Sequence, residues 1–149
     1  MNLIQKLALA GSISLLSLVS SAQALPPLSP VMLGSKAIVW SPVKDMPKGA
    51  EVTLLAGDPT QQQLFVAWLK LPAGYKVPLH EHPINEYDTV ISGTYYLGIG
   101  AEPVASKELA LKRGSFIEIP AHTLHYGWAK EETILQISGV GPWGMIYPT

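Results

Sequence analysis

Proline and glycine punctuate this chain so often that it favours many turns and short strands over long helices. Thirteen of each occur in 149 residues. Proline removes a backbone donor and glycine favours turns, so both end regular structure. What remains is a succession of short β-prone runs: residues 37–40, 51–55, 64–71, 76–82, 86–91, 94–99, 115–119, 124–128, 133–137 and 144–147. Residues 103–110 have room for one helical turn. Along 64–71, Phe65, Ala67 and Leu69 share one parity and Val66, Trp68 and Lys70 the other, as a half-buried strand requires. Nothing resembles a strand–helix–strand unit. The expected fold is therefore all-β, an antiparallel double-sheet jelly roll.

Bulk properties narrow the function classes. A hydrophobic content of 48% against 14% charge describes a packed protein with an ordinary core, not a disordered one. A net charge of −1 without basic runs excludes the electrostatic footprint of a nucleic-acid partner. Lys6, the apolar run 7–19 and the small-residue ending Ala22-Gln23-Ala24 read as an export signal cleaved after Ala24. That run is shorter than the ~20 residues needed to span a bilayer, so no stable membrane insertion is expected after cleavage. The expected organisation is a signal peptide over 1–24, a proline-rich arm over 25–36 and one domain over 37–149. The destination would be the periplasm in a Gram-negative host and the exterior otherwise. There is no cysteine, which excludes disulfides, thiolate ligands and thiol nucleophiles.

All four histidines lie between His80 and His125. His80 and His82 are two positions apart on a run read as a strand, so their imidazoles face the same side. Pro83 breaks the ladder, 83–85 turns, and a returning strand starting at Glu86 brings a carboxylate within reach. His125 comes after the turn at Pro120. Three imidazoles and one carboxylate suit one divalent first-row transition metal, and this donor set does not separate iron, manganese, nickel, copper and zinc.

These residues closely resemble the two motifs of the cupin superfamily. The first, G-x5-H-x-H-x3-E-x6-G, is met by Gly74, His80, His82, Glu86 and Gly93. The second is met by Gly114, Pro120 and His125, with His122 in place of a glycine and Ala129 in place of an asparagine. Outside the motifs, residues 40–49, 56–59 and 141–143 look like small exported bacterial cupins. The resemblance implies a single RmlC-like jelly-roll β-barrel (a double-stranded β-helix) with His80, His82, Glu86 and His125 as metal ligands. Pairing through sheet edges, with the arm exchanged between subunits, implies a homodimer.

Two functions stay open. One is a metalloenzyme, an oxygenase, decarboxylase or isomerase acting on a small oxygen-bearing molecule. The other is a non-catalytic module that binds or senses a small molecule or a metal. Beside the ligands, Tyr95, Tyr126, Trp128 and His122 are candidates to touch a substrate or support the ligands. His122 reads more simply as a turn residue with positive φ. Glu81 is expected on the opposite face from its histidine neighbours. Glu118 and His122 are the only nearby candidates for a general base.

Overall fold

Alternation along β3 (Leu64–Leu71) decides where the core lies. In the computed structural model, which describes residues 30–103 and 108–149, Phe65, Ala67, Leu69 and Leu71 are buried while Val66, Trp68 and Lys70 are only partly covered. A 3-10 turn, Ser35–Ala37, comes first. Around β3 stand β1 (Ser41–Pro42), β2 (Glu51–Ala56), β4 (Lys76–His80), β5 (Glu86–Ser92), β6 (Thr94–Ile99), β7 (Leu109–Lys112), β8 (Phe116–Ile119), β9 (His125–Ala129) and β10 (Thr133–Val140).

They form two antiparallel sheets, one in the order β1-β2-β3-β10-β5-β8 and one in the order β4-β9-β6-β7. After β3 the chain passes repeatedly from one sheet to the other, which is the jelly-roll course. The sheets are not closed into a continuous barrel, because β1 and β8, and β4 and β7, are left as edges among the described residues. Between the sheets, the inward side chains of β3 share one core with Leu135 and Ile137 of β10 and Val90 of β5 in the same sheet and with Leu97 of β6 in the other. Each such side chain contributes roughly 1.5–3 kcal/mol when fully buried.

Local structure differs from expectation in three places. The expected strand over 37–40 is absent; Val39 is 73% exposed, and pairing with β2 begins only at Ser41 and stops at Pro42. Of the expected helical turn, 104–107 lie outside the described residues, and the chain beyond them forms β7, paired with β6. Residues 144–147 make one isolated bridge, Glu81 with Ile146, rather than a strand. The signal peptide and residues 25–29 of the arm fall outside the described residues. Among the described residues no helix is long and apolar enough to cross a membrane.

Two motif glycines explain the corners on either side of the site. Gly74 and Gly93 have φ of 75° and 80°, the left-handed region where a side chain costs about 1–2 kcal/mol. Gly74 faces open space, whereas a Cβ on Gly93 would overlap Thr133 Oγ1 and stand 2.6 Å from the Glu132 carbonyl oxygen. Gly74→Ala should therefore lower stability by about 1 kcal/mol, from conformation alone. Gly93→Ala should cost clearly more, about 3 kcal/mol, because overpacking adds to the strain. Urea unfolding of the two variants measures the difference, and equal losses would contradict this account of the corner.

Candidate metal centre

The ladder between β4 and β9 brings the first two imidazoles together. His80 and His125 are directly paired across it, and their rings stand 4.1 Å apart. His82 lies two residues beyond His80 on the same side, 4.8 Å from it by ring centroid and 5.2 Å from His125. All three are buried, at 2–3% exposure, and one nitrogen from each falls within a 4.8 Å cluster.

Each ring is held from behind by a backbone carbonyl. Nδ1–H of His80 donates to Pro78 O at 2.7 Å, that of His82 to Gly144 O at 2.8 Å, and that of His125 to Thr123 O at 2.9 Å. A carbonyl can only accept, so these contacts place a proton on Nδ1 and leave the Nε2 of each neutral ring as a lone pair. Backbone carbonyls in this position are what orient histidines that ligate metals.

Glu86 is the first residue of β5, and its inward face also carries Asp88 and Val90. Glu86 Oε2 accepts from Trp143 Nε1 at 2.6 Å and stands 3.3 Å from His82 Nε2. That Nε2 is nonetheless buried without a hydrogen-bond partner of good geometry. With Nδ1–H committed to Gly144, a neutral His82 directs a lone pair at a carboxylate, a contact that is favourable only with a cation or proton between them.

Electrostatics divides the groups. Burial pulls the His80 imidazole down to about 4, and His125 beside it adds to the effect. Burial likewise holds His125 below its ordinary value. For His82 burial acts downward too, but Glu86 and the Gly144 carbonyl outweigh it, and the net shift is upward. Burial pushes the Glu86 carboxyl up; His82 and the Trp143 N–H more than offset this and keep it below its usual range. Burial and then the neighbouring Glu86 push Asp88 well above the carboxylate range. Two carboxyls on one face of a strand in apolar surroundings do not both ionise. Glu86 takes the charge and Asp88 keeps a proton.

The other sequence candidates scatter. Tyr95 is buried and lines the cavity beside Glu86 and Asp88. Tyr126 is buried but does not line it; alternation along β9 turns it away from the His125 face. Trp128 shares that outer face, stacked on Tyr96 at 4.3 Å and donating to Glu108 at 2.9 Å. His122 adopts φ 58°, as a turn residue, and its Nδ1 lies 3.1 Å from Glu81 with the side chain 63% exposed. Glu118 is exposed on β8.

Sequence reasoning missed two residues. Asp88 carried a signal, since it stands two positions after Glu86 on one strand face. Trp143 carried none, because it reaches the site from the C-terminal segment. It stacks on His82 at 5.0 Å while holding Glu86. That segment is pinned by the reciprocal backbone bonds of Glu81 and Ile146, both 2.9 Å, and by the Tyr147 hydroxyl donating to Asp45 O.

A family model described as a domain of unknown function (DUF4437) matches residues 28–142. No curated protein matches the sequence. Among solved structures, KdgF from Halomonas sp. is similar at 18% identity and TM-score 0.60, over 76% of this chain and 96% of that one. An RmlC-like cupin from Shewanella frigidimarina is similar at 15% identity and TM-score 0.59, over 74% and 90%. Salicylate 1,2-dioxygenase from Pseudoaminobacter salicylatoxidans is similar at 15% identity and TM-score 0.56, over 69% of this chain but 30% of that one. At these identities the likeness is one of fold.

The geometry sets two expected outcomes. Trp143→Phe keeps a ring on His82 but removes the donor to Glu86, and should lower stability by about 2 kcal/mol, the range for a bond to a charged group; chemical unfolding at neutral pH reads it. His80 titrates near 6.5, its ordinary value, when unfolded and at about 4 when folded. The unfolded chain therefore binds the proton first, and this contribution is complete above pH 6.5 and is lost as pH falls toward 4. In metal-free protein the loss between about pH 7 and about pH 4.5 should be about 2–3 kcal/mol smaller in His80→Asn than in wild type. An equal loss in both would show that His80 is not the group responsible.

Proposed function

The chain belongs to the DUF4437 family and has the cupin fold, and from that premise we propose that it is a metal-dependent enzyme acting on a small oxygen-bearing molecule. One divalent first-row transition ion would be held by His80, His82 and His125, with Glu86 as the fourth ligand. The observation that carries this reading is the set of three buried Nε2 lone pairs, each aimed by a carbonyl behind its ring, beside an anionic Glu86. Donors bound to one ion at about 2.1 Å stand no more than ~4.2 Å apart, so the 4.8 Å cluster needs only a small closing of side chains. An ion there would also resolve the lone-pair contact between His82 and Glu86.

When bound, the ion supplies a Lewis acid that polarises an oxygen of the substrate. The remaining work falls to the chain itself. Trp143 fixes the Glu86 carboxylate through its N–H and shields His82 with its ring. Apolar walls exclude water from the reacting groups. Asp88, protonated at the cavity wall, is the group placed to give a proton to a substrate, a role that His122 and Glu118 are too exposed to take. That a dioxygenase shares the fold agrees with a catalytic role.

Export belongs to the same proposal, on the strength of Lys6, the apolar run and Ala22-Gln23-Ala24. Self-association as a homodimer through a sheet edge completes it, supported by the exposed Leu109 and Phe116 on edge strands β7 and β8.

Elemental analysis of protein isolated from its native compartment should find one of iron, manganese, nickel, copper or zinc at near one ion per chain. His82→Ala and His125→Ala should each lose most of it. Chelation should lower stability by about 2.7 kcal/mol relative to protein held in free ion at about a hundred times its Kd. Absence of metal, or metal unaffected by both substitutions, would defeat this reading. Metal held without turnover of any small-molecule substrate would favour the binding module instead.

A further inference from the structure

The cavity behind the histidines divides into two unlike parts. Its volume is about 240 Å³, and its polar lining is confined to His80, His82, Glu86, Asp88, Tyr95 and His125. Everything else that lines it is hydrocarbon, aromatic or thioether, with Phe65, Leu69, Leu97, Leu135, Ile137 and Met145 representative. Among the described residues, no lysine or arginine lines it. Lys70, on the outer parity of β3, is engaged with Glu51 at 2.6 Å and lies over the Trp40 ring.

From this division we infer that the substrate is a compact molecule with an uncharged hydrocarbon body and one oxygen-bearing end, such as an alkyl phenol, an aromatic alcohol or a branched ketone. The inference rests on the metal-centre reading for its polar end and on the walls for its body. Size comes from comparison: an apolar cavity of about 150 Å³ holds one benzene, so this one takes roughly ten non-hydrogen atoms. A polyol or sugar acid of that size would lay several hydroxyls against hydrocarbon, each losing about 2–7 kcal/mol of hydration without a partner. A second anionic group would find no cation to receive it. One end is different: an ion held by the histidines and Glu86 would take a hydroxyl or carbonyl oxygen, and Asp88, whose Oδ1 is buried without a hydrogen-bond partner, can pair with a hydroxyl. Polar recognition is thus concentrated at one point, and the walls select by shape and apolarity.

The test compares two probes of equal size on metal-loaded, full-length protein by titration calorimetry: 4-ethylphenol, and D-threonate as the polar counterpart. The phenol should bind at least about tenfold more tightly, with the negative heat-capacity change of apolar burial. Leu135→Gln, which puts an amide into the wall, should weaken 4-ethylphenol by about tenfold. Should that variant not fold, Leu97→Ala decides by the opposite route, since widening the cavity should move the preference from 4-ethylphenol to 4-butylphenol. Threonate binding as tightly as the phenol, neither probe binding, or an unmoved preference in Leu97→Ala would overturn the inference. Elemental analysis of the same samples keeps the two readings apart. Protein that holds metal but prefers threonate overturns the substrate class alone. Protein that holds no metal yet takes up 4-ethylphenol overturns the metal centre and supports the apolar cavity.

Discussion

A single buried negative charge organises this site. Glu86 opens β5 on the inner face of an apolar double sheet, and its side chain is 5% exposed. An ionised carboxylate there is costly unless its lone pairs are met. The Trp143 N–H meets one of them, Asp88 adds no second charge because it keeps its proton, and His82 Nε2, 3.3 Å away, can meet the carboxylate only through a proton or cation. Each of these groups is in turn constrained. Trp143 must reach in from the C-terminal segment, His82 must turn its Nδ1 outward to Gly144, and Asp88 must stay neutral.

The jelly roll makes this convergence possible because it brings distant segments to one point. β4 and β9 belong to one sheet and β5 to the other, so the imidazoles and the carboxylate approach from facing layers. The C-terminal segment then crosses the end of both, pairing with Glu81 and lending the Gly144 carbonyl to His82. The backbone beneath these side chains is fixed by strand pairing and by the Glu81–Ile146 bonds, which leaves only side-chain adjustment to bring the donors closer. The same sheets that position these groups supply the hydrocarbon walls around them.

Much of this was legible in advance, and the reasons are local. Strands β3 and β6 could be bounded to the residue because alternation and turn residues both mark them. The pair His80 and His82 could be placed on one side because strand periodicity is strict. His122 could be read as a turn residue because imidazole tolerates a positive φ better than bulkier side chains do. The same local rules misread 37–40, whose β-prone residues have no strand beside them. They also gave no reason to pair 109–112 with β6, because an edge strand with two exposed leucine-and-alanine positions carries little period-two signal.

The sequence by itself determined the all-β class, the order of most strands and which four residues could supply metal donors. Those properties come from side-chain chemistry and from spacings of a few residues. Tertiary structure alone decided that Trp143 would hold Glu86, that Asp88 rather than Glu118 or His122 would share the cavity, and that Trp128 and Tyr126 would face away. These outcomes depend on contacts between segments tens of residues apart and on which face of a strand is covered. They are set by how two sheets pack, and no local pattern encodes that.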